Sequence, residues 1–152
     1  MNSKIEREKW SESSSRSYAY HCVVTDYVDF FYICEKCSAK SVFTAEQKKE
    51  SYEVKKNYIW QQRRLCGSCN AELYRLKVKN LAFQASWAKD KARLQKDVQF
   101  MAEWLAVIKA FPFYGSRIGG AMGQRLEKLL ASISNPSIHK NALQSLTRAP
   151  GE

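Results

Sequence analysis

No run of residues in this 152-residue chain approaches the roughly 20 consecutive apolar positions a membrane-spanning helix needs, so no membrane span is expected. Histidine is scarce as well, with only His21 and His139. That scarcity argues against an HNH-type nuclease, which requires a metal-binding histidine cluster. No Ser/His/Asp grouping, phosphate-cradling glycine loop or pair of acids in a recognisable frame is present, and the chain is not expected to be an enzyme. Acidic residues are also outnumbered, 15 against 25 basic ones, giving a net charge of +10. The excess is spread out. Residues 1–33 carry four basic and five acidic groups, 34–70 and 71–111 each carry eight against four, and 112–152 carry five against two. A basic balance of this kind permits binding to nucleic acid or to an acidic protein; the alternative is a solvated lysine surface. The first eight residues include four charged side chains, with no apolar stretch behind them. No signal peptide is therefore expected, and the cytoplasm is the expected compartment. In a reducing compartment paired cysteines hold metal more often than they form disulfides.

What the chain does have is two matched cysteine pairs, Cys34-Glu35-Lys36-Cys37 and Cys66-Gly67-Ser68-Cys69, with 28 residues between them. Two such knuckles supply four thiolates, the ligand set of a closed, tetrahedral structural zinc site. The reading is one Zn²⁺ held by Cys34, Cys37, Cys66 and Cys69, with no open position for substrate. The total of five cysteines is odd, which disfavours a full disulfide framework. Cys22, beside His21, reads either as a ligand or reactive thiol or, preferably, as a small core residue. His139 reads as a surface residue.

The residues around the knuckles resemble a bacterial family described as probable zinc-ribbon domains. The matching pieces are Tyr27-Val28-Asp29, the first knuckle, Phe43-Thr44-Ala45-Glu46-Gln47, Tyr52, and Arg64-Leu65 leading into the second knuckle. The resemblance covers only residues 27–69. It departs from the family at Ser38, where Gly is usual, at Phe30, where Lys is common, and in lacking a Pro before Arg64. It implies a zinc ribbon and no particular reaction.

Local patterns predict an α+β protein: a small four-cysteine zinc ribbon followed by two to three helices. Residues 1–17 read as a flexible N-terminal tail in which Trp10 is the one side chain able to dock. Residues 18–70 read as the ribbon domain. Its aromatic and β-branched stretch over 18–33 predicts one or two strands, with further short strands at Val42-Phe43 and Tyr58-Ile59-Trp60. Thr44, with Gln47 three residues on, predicts a capped helix over 45–54. Residues 71–148 read as helical. No Gly or Pro interrupts 71–111, where Leu73, Leu76, Phe83, Trp87, Leu94, Val98, Met101, Leu105 and Ile108 recur at threes and fours. Their phase slips between Trp87 and Leu94, marking either a stutter or a break between two helices. Another helix is expected over 117–133, with its glycines allowing close packing, and a short one after Pro136.

Lys55, Lys56, Arg63 and Arg64 are the expected phosphate contacts of a nucleic-acid-binding module, alone or bound within a nucleic-acid complex. Tyr18, Tyr20, Tyr27, Phe30, Phe31 and Tyr32 either form a base-stacking platform beside Lys36 and Lys40 or, preferably, fill the ribbon core. The alternative function is a protein-interaction adaptor, a regulatory or immunity-type partner, using the apolar face of the C-terminal helices. Those helices also offer a seam for homo-oligomerisation.

Overall fold

A computed structural model of the protein describes residues 3–134, and the chain divides into two compact units at 70/71. The architecture is α+β, as expected: two small antiparallel strand pairs and a set of helices, with a four-cysteine cluster. The expected short helix after Pro136, and His139, lie outside the described residues.

The first unit begins where a tail was expected. β1 (Ser3–Lys4) pairs antiparallel with β2 (Asp26–Tyr27), Ser3 opposite Tyr27. A 3₁₀ turn at Arg7–Lys9 then delivers Trp10 into the core, where its indole N–H donates to the Tyr27 hydroxyl at 2.7 Å. One turn of helix follows, α1 (Glu12–Ser15), capped by the Ser11 hydroxyl. Ser14 on it is fully buried and accepts the backbone N–H of Ile59 at 2.9 Å. The tail expectation for residues 1–17 is therefore corrected over the described part. A polar, serine-rich composition looks like a tail, but one buried Trp, one buried Ser and a strand pair tie the segment down.

The core of this unit is Trp10, Ala19, Tyr27, Phe43, Ala45 and Tyr52, with Ile5, Tyr32 and Ile59 against it. Of the expected strands over 18–33, Tyr18–His21 is a 3₁₀ turn instead, and β3 (Phe30–Ile33) is the principal strand. β3 pairs with β4 (Lys40–Phe43), Phe30 opposite Phe43 and Ile33 opposite Lys40. Thr44 makes the predicted capping box: its hydroxyl accepts the Gln47 N–H at 3.2 Å, and the Gln47 side chain accepts the Thr44 N–H. Asp29 adds a second acceptor for this helix start, taking the Ala45 N–H at 2.7 Å. α2 (Ala45–Lys49) continues as a π-helical turn over Glu50–Val54 and ends at Lys56, whose φ of 58° reverses the chain. Residues 58–60 form a turn, not the expected strand, and leave Trp60 exposed. Among the described residues no strand pairs with them.

The second unit contains most of α3 (Gly67–Lys89), then a single turn α4 (Lys91–Leu94), α5 (Val98–Ala110) and α6 (Gly120–Ser134). The phase slip is a break: at Asp90 the backbone turns to φ −145°, ψ 56°, and the Asp97 carboxylate recaps the chain by accepting the Phe100 N–H at 3.0 Å. Trp87, Leu94, Met101, Trp104, Ile108 and Leu126 form the core. Trp104 stacks on Phe83 at 6.0 Å between ring centres and donates its indole N–H to Asn80 Oδ1 at 2.8 Å. The glycine expectation also resolves: a Cβ on Gly123 would lie 3.1 Å from Ile108 Cγ2, so the absent side chain is what lets α6 approach α5.

Candidate metal centre and binding surfaces

Each cysteine knuckle is built by its backbone. β3 hands the chain to Cys34 and β4 takes it back. Between them Cys34 donates its N–H to Ala39 O at 2.9 Å, and Ser38 donates to Cys34 O at 2.9 Å. Ser38 stands in the left-handed region, φ 61°, the conformation a Gly at that place adopts without strain. The second knuckle opens α3, and Asn70 donates to Cys66 O as the first helical turn closes. Two long-range bonds join the knuckles. Glu35 N–H donates to Arg64 O at 2.9 Å, and the Tyr32 hydroxyl donates to Leu65 O at 2.9 Å.

The result is four thiol sulfurs all within 4.8 Å of one another and no disulfide. A tetrahedron of zinc–sulfur bonds near 2.3 Å has sulfurs about 3.8 Å apart. Cys37 and Cys66 are 3.7 Å apart, so this pair already stands at the spacing a zinc ion imposes. Cys34, Cys66 and Cys69 are buried and Cys37 is exposed. The polar surroundings divide the thiols. Backbone N–H groups of Cys37, then Cys66, pull the Cys34 thiol down to about 6. The Ser68 hydroxyl lowers Cys66, while burial, with the neighbouring sulfurs, pushes Cys69 up to about 12. A divalent cation resolves this division, because its charge offsets four adjacent thiolates. The donor set is all thiolate, which selects zinc among common cellular cations. With four protein ligands, the centre is structural.

Cys22 lies outside this cluster. It is half-buried, with its sulfur 3.7 Å from Tyr18 O, and does not enter the hydrophobic core that was its preferred place. His21 is exposed, edge-on to Tyr20.

The four basic residues expected at phosphates are exposed on the first unit, and each has a neighbour. Lys55 pairs with Glu50 at 3.1 Å, and Arg64 pairs with Glu35 at 3.4 Å. Lys56 donates to the Lys9 carbonyl. The Arg63 guanidinium lies 4.2 Å from the centre of the Phe43 ring and donates to Gln47 Oε1.

The aromatics divide between the two readings. Tyr27 fills the core, and Tyr32 is half-buried beside Phe30. Tyr18 and Phe31 do not fill it, being 80% and 77% exposed. Phe31 shares the outer hairpin face with Ile33 (63%) and Val42 (37%), around a shallow depression of about 510 Å³. Sequence alternation could not single out this face, since Phe30-Phe31-Tyr32-Ile33 is apolar on both sides and reads as a doubly covered strand.

Sequence reasoning also passed over Glu53. It is buried, its carboxylate accepts the Glu6 N–H at 2.8 Å, and it pairs with Lys49 at 2.9 Å. An acid on the inner side of a helix, four residues after a Lys, was its only signal.

No family model matches the chain, and comparison with curated proteins and with solved structures gives no match. Among the described residues no helix is long and apolar enough to cross a membrane. The four-cysteine cluster is consistent with a zinc-ribbon-like site and carries that assignment on its own geometry.

Proposed function

We propose that this protein is a non-enzymatic, zinc-stabilised module that binds single-stranded nucleic acid with the outer face of its β3–β4 hairpin. One observation carries the proposal: Phe31 is 77% exposed, flanked by Ile33 and Val42, on a hairpin whose turn holds Cys34 and Cys37 of the cysteine cluster. An exposed aromatic ring with apolar neighbours is a stacking platform for bases of any identity. Lys40, opposite Ile33 in the pairing register, supplies a cation on the same face. Lys55, Lys56, Arg63 and Arg64 are the further phosphate contacts. The ion pairs of Lys55 with Glu50 and of Arg64 with Glu35 are solvent-exposed, worth about 0–1 kcal/mol each, and give way to a phosphate at little cost.

The test is anisotropy of a labelled oligothymidylate or oligouridylate titrated with zinc-loaded protein. Phe31→Ala removes a stacking contact worth about 1–3 kcal/mol, so affinity is expected to fall roughly 5- to 150-fold. Arg63→Gln with Arg64→Gln is expected to flatten the salt dependence by about 0.7 per lost phosphate contact. Affinity untouched by Phe31→Ala would remove the hairpin from the interface.

A further inference from the structure

We propose a second surface, distinct from the hairpin: the outer face of α3 docks an acidic amphipathic helix of a partner protein. The helix has a buried side and an exposed apolar side. Leu73, Asn80, Phe83 and Trp87 face inward, and three of the four are buried. On the opposite side Tyr74, Val78, Leu81, Ala85 and Ala88 recur at four-three-four-three spacing, the seam of a two-helix coiled coil. All five are exposed, Tyr74 at 68%, Val78 at 48% and Leu81 at 63%. The stripe runs about 21 Å along the helix, enough for four turns of a partner.

Its flanks identify the occupant. Between Glu72 and Asp90 the helix carries Arg75, Lys77, Lys79 and Lys89 and no carboxylate. All four cations are exposed, and none makes an ion pair among the described residues. Arg75, Lys77 and Lys89 occupy the positions beside the seam that choose a coiled-coil partner by charge. A second copy of this chain would bring like charges together in either orientation, which disfavours self-pairing. An acidic helix brings Glu to each of those positions while its own apolar stripe covers Tyr74, Val78 and Leu81.

The probe is a pair of synthetic helical peptides about three heptads long, with Leu along the seam and either Glu or Lys at the flanks. Each is labelled and titrated with the full, zinc-loaded chain. The Glu peptide is expected to bind at least about tenfold more tightly than the Lys peptide, with the difference shrinking as salt rises. Leu81→Asp is expected to weaken Glu-peptide binding by about tenfold or more. The double variant Arg75→Glu, Lys77→Glu tests the charge separately, on exposed side chains where folding is not at stake. Several results overturn the proposal. These are equal affinity for both peptides, affinity unchanged in Leu81→Asp and in the double variant, a native dimer that Leu81→Asp converts to monomer, or oligonucleotide binding lost in Leu81→Asp.

Discussion

Glu6 is held by two lysines at once. Lys9 and Lys49 both hydrogen-bond its carboxylate and hold it down at about 2, well below an ordinary glutamate. The folded form therefore favours the ionised acid. Its contribution is present above the ordinary glutamate range and is lost as pH falls through that range toward 2. An acid titration followed by amide protection in β1 and β2 should show the first unit loosening in this window, and Glu6→Gln should shift the transition. Tyr27 is a second sensitive residue. Its hydroxyl accepts the buried Trp10 indole N–H, so Tyr27→Phe leaves a donor unpaired, at an expected cost of about 1–3 kcal/mol in chemical denaturation. A neutral effect would mean that water reaches the indole. Tyr27 was expected in the core, but its bond to Trp10 and the role of Glu6 are not legible in the sequence. Glu6 sits in a run of charges that looks solvated, and the Trp10–Tyr27 bond spans 17 positions. The cysteines were legible for the opposite reason: each ligand pair is separated by only two residues, so a local pattern carries the chemistry.

At the scale of elements, local signals succeeded where an element is determined by its own residues. The Thr44–Gln47 capping box is of this kind; the phase slip located the irregularity at Asp90 but did not decide between a stutter and a break, since caps and phase slips act within a turn or two of helix. Prediction failed where tertiary pairing decides. Tyr58-Ile59-Trp60 has strand-like residues but no partner strand, and the first residues look like a tail until β2 is there to pair with. The α5–α6 contact tests how closely the second unit is packed. Gly123→Val adds atoms against Ile108 and is expected to destabilise by about 1–3 kcal/mol. Gly120→Ala meets nothing within 4 Å and is expected to be neutral or stabilising by up to about 1 kcal/mol. Thermal melts followed at the helical signal distinguish the two. Equal effects would mean that α6 does not rest on Ile108.

For the whole molecule, the two units rely on different sources of stability. The first has a small aromatic core and two short strand pairs, with four cysteine sulfurs gathered in one cluster. A unit of this size commonly needs a metal to complete its fold. The second has its own aromatic and aliphatic core, with no cysteine in it. Chelating the metal should therefore abolish amide protection around Cys34–Cys37 and Cys66–Cys69 and in β3 and β4, while α5 and α6 stay protected; hydrogen exchange reads both at once. Binding by the hairpin should be lost along with the metal. All of this rests on one zinc ion held by four sulfurs. The most direct measurement is X-ray absorption at the zinc edge on the purified chain. Four sulfur neighbours at about 2.3 Å, with one zinc per chain, are the expected result. Fewer sulfurs, nitrogen or oxygen in their place, or cysteines joined as disulfides would contradict it.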